Sequence, residues 1–159
     1  MNAILEEFSK SLPDTHEVAR VTIRLLAALI AGTVIGLQRE HSGAPAGLRT
    51  HMLVCMGVAL FVIVSADFGM EHDALSRVIQ GLATGVGFLG ADAIMKMKDE
   101  HAIRGLTTAA GMWMTAAIGV AIGLGRHGTA ALATIFAWFV LAVVIKAEAR
   151  IRGHGDAEP

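Results

Sequence analysis

The chain has 159 residues, of which 54% are apolar and 17% charged, and its formal net charge is -1. A single domain of this length has no interior large enough for so many apolar side chains, so part of its surface must face lipid. The near-neutral charge and the lack of a basic tract argue against a nucleic-acid-binding protein. A single cysteine, Cys55, cannot form an intrachain disulfide.

Residues 1–13 lack the basic start and long apolar run of a secretory signal, and they end at Pro13. Their apolar residues share one helical face, which indicates either a helix along the membrane surface or a frayed end. Asp14 and Glu17 have the spacing of a capping box. This spacing predicts that a helix begins there and crosses the membrane as far as Gln38.

Four further stretches contain no Asp, Glu, Lys or Arg, and they predict spans two to five: Thr50 to Ala66, Val78 to Ala91, Gly105 to Gly125, and His127 to Ile145. The third is short unless Asp92 to Met95 extend it. We therefore expect an all-α, polytopic membrane helix bundle of about five transmembrane helices, with its membrane domain at 14–146 and a polar cytoplasmic tail at 147–159.

The distribution of Lys and Arg predicts the orientation, because positive residues near helix ends are retained in the cytoplasm. If the intramembrane Arg24 is set aside, eight of these residues lie on the side of the C-terminus and four on the side of the N-terminus. The N-terminus is therefore expected in the periplasm and the C-terminus in the cytoplasm.

Glycines four residues apart predict close helix contacts in lipid, where backbone approach replaces the hydrophobic effect. Such pairs occur in spans one, three and four, which we expect to form the centre: Gly32/Gly36, Gly81/Gly85 and Gly119/Gly123. Span five carries large aromatic residues and is expected to face lipid or a partner subunit. A homodimer is the simplest closed assembly for so small a chain.

Residues 85–90 match the G-x-G-x-x-G pattern of dinucleotide-binding proteins, but they lie inside an apolar span without the strand that this fingerprint requires. Close helix packing explains them better, and no P-loop or common hydrolase motif suggests an enzyme. His51 and Cys55 are four residues apart and could present two soft ligands, but two ligands do not make a zinc site. We expect them to pack, and we expect no metal or cofactor.

Charged residues near the cytoplasmic ends of the spans form a second candidate site: Arg39, Glu40, Arg49, Asp92 and Arg104. Opposite charges at one depth indicate a network of ion pairs, either purely structural or surrounding a polar site. Asp92 is the one acid inside a span. We expect it to form an ion-pair latch with an arginine, the alternative being an unpaired acid in a proton or cation site.

Two short sequences are alike, since Gly47-Leu-Arg-Thr50 and Gly105-Leu-Thr-Thr108 each follow a polar connector and open a span. The likeness indicates two related helical hairpins. It places Thr50, Thr107 and Thr108 at helix N-termini, whose free N–H groups favour an anion or a carboxylate. Glu40 and Asp92 are available as internal partners.

Several motifs in order resemble those of the MgtC/SapB membrane proteins: residues 36–40 (Gly-Leu-Gln-Arg-Glu), 46–51, 85–91, and 104–110 followed by Trp113 and 115–119. The resemblance covers the chain from Arg24 to Ile145. It implies a bacterial inner-membrane protein with several spans, linked to growth at low magnesium and to survival inside host cells. Some members of the family are described as restraining the F-type ATP synthase.

The sequence departs from the family pattern at Gln38, where the family usually has an acid, and at Asp92, where a glycine is usual. It also ends at Pro159, whereas better known virulence members continue into a cytoplasmic domain. The resemblance implies a non-enzymatic regulator of magnesium or acid adaptation that binds another membrane complex. The alternative is a small magnesium, cation or proton carrier or channel, with Asp92 and Glu40 as its acidic site.

Overall fold

The computed structural model describes residues 14–95 and 105–144. Within these ranges the chain forms five helices, the last of which continues as a π-helical segment at Val140–Val144: α1 Thr15–His41, α2 Leu48–Asp67, α3 His72–Met95, α4 Leu106–Gly123 and α5 His127–Phe139. The predicted all-α fold is confirmed. The predictions for residues 1–13, Arg104 and the tail at 147–159 lie outside the described residues.

Three helices, α1, α2 and α4, are long and apolar enough to cross a membrane, and α5 with its continuation is an apolar helix of shorter length. The remaining helix, α3, has 24 residues but does not combine length and apolarity to the same degree. In the sequence, this span is also the shortest of the four stretches without charged residues. The orientation of the termini stays a prediction.

Helix α1 begins where the sequence predicts, because the Asp14 side chain accepts a hydrogen bond of 2.7 Å from the Thr15 amide. Its buried residues recur at helical spacing along one stripe: Ala28, Ala31, Gly32, Ile35, Gly36 and Arg39. Large apolar side chains such as Ile23 and Ile30 lie on the other faces and are exposed. In a membrane protein this exposed surface contacts lipid.

Helix α2 lies between α1 and α4, and glycines on both neighbours allow its backbone to approach closely. A Cβ atom on Gly32 would lie 2.7 Å from the His51 carbonyl oxygen, and one on Gly119 would lie 2.6 Å from that of Cys55. Gly36 and Gly123 face α2 in the same way. The glycine pairs of spans one and four therefore both contact α2, which itself contains no such pair.

The expectation that span three belongs to the centre is wrong for the described chain. A Cβ atom on Gly81 or Gly85 would meet nothing within 4 Å. Helix α3 instead packs beside α4 through other residues, and a Cβ on Gly90 would lie 3.3 Å from the Ala109 Cβ. A small-residue pair permits close approach but does not require it, so the pattern could not specify which helix would use it.

Two arginines of α1 secure the end of the bundle where α1 begins. Arg20 Nη2 lies 2.8 Å from Asp67 Oδ1 at the end of α2. Arg24 Nη1 donates a 2.8 Å hydrogen bond to the Gly123 carbonyl at the end of α4. This position suits a cation, because the last carbonyls of a helix carry partial negative charge. Gly125, with φ of 75°, turns the chain beside the Arg24 guanidinium.

We predict that Gly119→Ala lowers the unfolding free energy by about 1 to 3 kcal/mol, because its Cβ would collide with a backbone carbonyl that cannot rotate away. Thermal unfolding in a mild detergent measures the effect. Gly85→Ala is the matched control and should leave stability unchanged or raise it slightly, since alanine favours helix and the space there is open. Equal stability of the two variants would contradict the close contact of α2 and α4.

Candidate functional site

Four polar side chains are buried where α1, α2 and α4 meet, and we call them the Arg39 cluster: Arg39, His51, Thr108 and Thr115, whose exposed fractions are 4%, 0%, 2% and 1%. Arg39 lies in the last turn of α1, while His51 and Thr108 lie in the first turns of α2 and α4. The cluster is therefore at the opposite end of the bundle from Arg24. A buried polar group in such a place is costly unless it has hydrogen-bond partners.

The His51 ring is held by Thr115, because its Nδ1 lies 2.7 Å from Thr115 Oγ1. That hydroxyl donates its one hydrogen to the Gly111 carbonyl at 2.9 Å. Nδ1 must then be the donor to Thr115, which leaves Nε2 of the neutral ring as an acceptor. Nε2 is buried and has no hydrogen-bond partner.

Glycines on both neighbouring helices make room for the His51 side chain. A Cβ atom on Gly36 of α1 would lie 3.2 Å from the His51 Cβ, and one on Gly111 of α4 would lie 3.7 Å from its Cε1. Cys55, one turn along α2, is fully buried in the apolar core. His51 and Cys55 are thus both interior side chains. Within residues 14–95 and 105–144, no three His, Cys, Asp or Glu residues come together as a metal site.

The Arg39 guanidinium contacts the start of α4, where its Nη2 donates a 3.1 Å hydrogen bond to Thr108 Oγ1. Its Nε is buried and has no hydrogen-bond partner. The ion pairs found in the described part of the chain join Arg20 to Glu17 and to Asp67, and none involves Arg39. Arg39 is therefore a buried cation whose partner here is a neutral hydroxyl.

The neighbouring acid, Glu40, has a different partner. Its Oε2 accepts a 2.9 Å hydrogen bond from the Leu48 amide, so the carboxylate satisfies the N-terminus of α2 from the end of the preceding helix. Gly47 must be small for this contact, because a Cβ there would overlap Glu40 Oε2. The motifs at 36–40 and 46–51 thus form one local structure, the joint between α1 and α2.

The structure separates the other predicted site residues. Arg49 and Thr107 are exposed and Thr50 is partly exposed. Asp92 is exposed on the last turn of α3, and Arg104 lies outside the described residues. Arg39 and Glu40 have partners other than the ion pairs that the sequence led us to expect. The latch at Asp92 stays a prediction.

Sequence reasoning missed the role of Gln38. Its Nε2 donates a 2.6 Å hydrogen bond to the Leu141 carbonyl in the π-helical segment, which joins α1 to the end of the last helix. A carboxylate at this position could not donate that bond. The departure from the family pattern at Gln38 marked the residue, but only the position of Leu141 reveals what the amide does.

We predict that Thr115→Val destabilises the protein by about 1 to 3 kcal/mol, because it leaves the buried His51 Nδ1–H without an acceptor. Thr84→Val is the matched control, since the Thr84 hydroxyl also bonds the carbonyl four residues earlier but lies on an exposed face. Thermal unfolding of both variants in detergent gives the comparison. If the two variants lose equal stability, the bond to His51 contributes nothing.

The chain is similar in sequence to known proteins over most of its length. The model of the MgtC family matches residues 25–150. The protein SrpB of Synechococcus elongatus is 44% identical over 132 residues, which cover 76% of this chain and 72% of SrpB. The putative magnesium transporter YhiD of Escherichia coli K12 is 44% identical over 132 residues, which cover 79% of this chain. The protein MgtC of Salmonella typhimurium is 42% identical over 113 residues, which cover 71% of this chain.

The chain spans 60% of the length of YhiD and 47% of the length of MgtC. No solved structure is significantly similar. The family match and the SrpB alignment both extend over most of the helices described above. The chain is a membrane protein that belongs to the MgtC family.

Proposed function

We propose that the protein is a non-enzymatic regulator in the bacterial inner membrane that acts during magnesium limitation or acid adaptation. In this proposal it binds another membrane complex, of which the F-type ATP synthase is one example. Its membership of the MgtC family supports the proposal. A carrier of magnesium, another cation or protons is the second candidate, because the relative YhiD is named a putative magnesium transporter.

The observation that carries the proposal is the positive charge of Arg39, which is buried where α1, α2 and α4 meet. Arg39 lies there with the neutral Thr108 hydroxyl as its hydrogen-bond partner, and His51 is buried in the same cluster. Magnesium is held by carboxylates, carbonyl oxygens and water, and a buried guanidinium repels it. When no anion is bound to Arg39, a path for magnesium between α1, α2 and α4 would therefore begin or end at an unfavourable charge.

The packing of the bundle between the Arg39 cluster and the opposite end supports the same function. The centre of the bundle is filled by small and branched apolar residues such as Ala28, Ala59 and Ile118. The backbones of α1 and α4 both contact α2 through glycine, so these helices have little freedom to separate. A bundle of this kind suits a rigid binding platform better than a carrier, which must open alternately on two sides.

The outer face offers a surface for such binding. An apolar groove of about 610 Å³ lies between α1 and α5, and Ile30, Val34 and Trp138 are among the residues that line it. Phe136 and Phe139 of α5 are also largely exposed. Aromatic residues of this kind are enriched where helices contact partners. We propose that a transmembrane helix of the partner complex contacts this face.

The experiment that tests the proposal measures ion flux into liposomes that contain the purified protein. We expect magnesium, proton and potassium fluxes equal to those of protein-free liposomes. A magnesium flux above this background would contradict the regulator and favour the carrier. In that event Asp92→Asn and Glu40→Gln should reduce the flux, because the carrier hypothesis assigns the acidic site to them.

A second prediction concerns orientation. The excess of Lys and Arg on the side of the C-terminus predicts that this end is cytoplasmic and the N-terminus periplasmic. The Arg39 cluster would then face the cytoplasm. Fusion of alkaline phosphatase to the C-terminus should give no activity in cells, because this enzyme folds only in the periplasm. An active fusion would reverse the orientation.

A further inference from the structure

Within residues 14–95 and 105–144, Arg39 forms no ion pair where it meets the N-terminus of α4, and we propose that the two together bind a phosphate-type oxyanion. The guanidinium carries several N–H donors. Within the described ranges it meets one acceptor, Thr108 Oγ1, and its buried Nε meets none. A buried cation is stable only when it is paired or hydrogen-bonded, so the site calls for an acceptor with several oxygens.

The start of α4 adds backbone N–H donors to the same place. The first amides of a helix have no partner within the helix, and the N-cap of α4 is Gly105, which has no side chain to cap them. Gly105 has φ of 97°, and a Cβ there would lie 2.8 Å from the Ala93 carbonyl oxygen. Glycine thus allows α4 to begin close against α3, beside the Arg39 guanidinium.

The two ends of α4 show why an anion belongs at only one of them. At its C-terminus Arg24 binds the Gly123 carbonyl, where the partial negative charge of the helix end attracts a cation. At its N-terminus Arg39 faces a partial positive charge, which repels it. The second arrangement becomes favourable when an anion lies between the guanidinium and the helix amides, as in many phosphate sites.

The joint between α1 and α2 supports the same conclusion. At the N-terminus of α2, an anionic oxygen is already present, because Glu40 Oε2 accepts the hydrogen bond of the Leu48 amide. At the N-terminus of α4, the side chain that reaches the first turn is a cation. A bound oxyanion would accept hydrogen bonds from the first amides of α4, as Glu40 Oε2 accepts one from the Leu48 amide of α2.

The geometry favours phosphate chemistry over a single carboxylate. The guanidinium and the helix amides together offer more donors than one carboxylate can accept from, and a tetrahedral oxyanion has enough oxygens for both. Arg39 lies in the last turn of a helix that is long and apolar enough to cross a membrane. The oxyanion comes either from a lipid headgroup or from free phosphate.

The experiment measures thermal unfolding of the delipidated protein in mild detergent with inorganic phosphate, against chloride at equal ionic strength. We expect phosphate to raise the unfolding temperature. Arg39→Gln should weaken phosphate binding by about tenfold or more, because a charge-assisted hydrogen-bond pair is lost. Arg126→Gln is the matched control, since it removes an exposed arginine at the opposite end of the bundle.

A second measurement distinguishes the source of the oxyanion. Native mass spectrometry of protein released from phosphatidylglycerol nanodiscs should show a retained phospholipid if the headgroup is the ligand, and Arg39→Gln should lose it. Stabilisation by inorganic phosphate without a retained lipid identifies a free anion. Either result supports the site.

The proposal is overturned if the wild-type protein shows neither stabilisation by phosphate nor a retained phospholipid, or if Arg39→Gln keeps both. If Arg39→Gln fails to fold, Thr108→Val replaces it as the test variant, because it keeps the arginine and should also weaken the stabilisation by phosphate.

A double variant, Asp99→Asn with Glu100→Gln, tests whether an acid of this chain is the counter-charge of Arg39. If phosphate stabilises only this double variant, the chain supplies its own anion and the proposal is wrong.

Discussion

The close approach of the α2 backbone to α1 and α4 is the constraint on which the rest of the structure depends. In lipid, helices gain little from the hydrophobic effect, so they associate where small residues let backbones and side chains meet over a large area. Gly32 and Gly36 provide this contact on one side of α2, and Gly119 and Gly123 provide it on the other. The same packing leaves room between Gly36 and Gly111 for the His51 side chain.

Because three helices converge so closely, several polar side chains near their ends lie within hydrogen-bond distance of a neighbouring helix. His51 finds Thr115, Gln38 finds the Leu141 carbonyl, and Glu40 finds the Leu48 amide. Each of these contacts joins two different helices. Polar residues at the membrane edge therefore determine how the helices connect, in addition to whatever function they serve.

The half-buried Arg24 and the buried Arg39 of α1 differ in how well their surroundings suit a cation. Arg24 lies at the negative end of α4 and Arg39 at its positive end, so one helix offers opposite environments to two side chains of the same type. Arg24 is consistent with a structural role alone. Arg39 lies in one of the motifs that resemble the MgtC family, and its position is unfavourable for a cation. Positions that cost stability in this way are expected at functional sites.

The sequence by itself determined the membrane class, most helix boundaries and the start of α1 at Asp14, because these depend on local apolar runs, breakers and capping residues. It also indicated that Arg39, Glu40 and Thr108 belong to one end of the bundle. Only the tertiary structure decided that α2 rather than α3 is central, that Gly81 and Gly85 have no neighbour in the described chain, and that Arg39 meets Thr108 rather than an acid. The physical reason is that a glycine pair or a charge specifies what kind of contact is possible, whereas the choice of partner depends on how all the helices pack together.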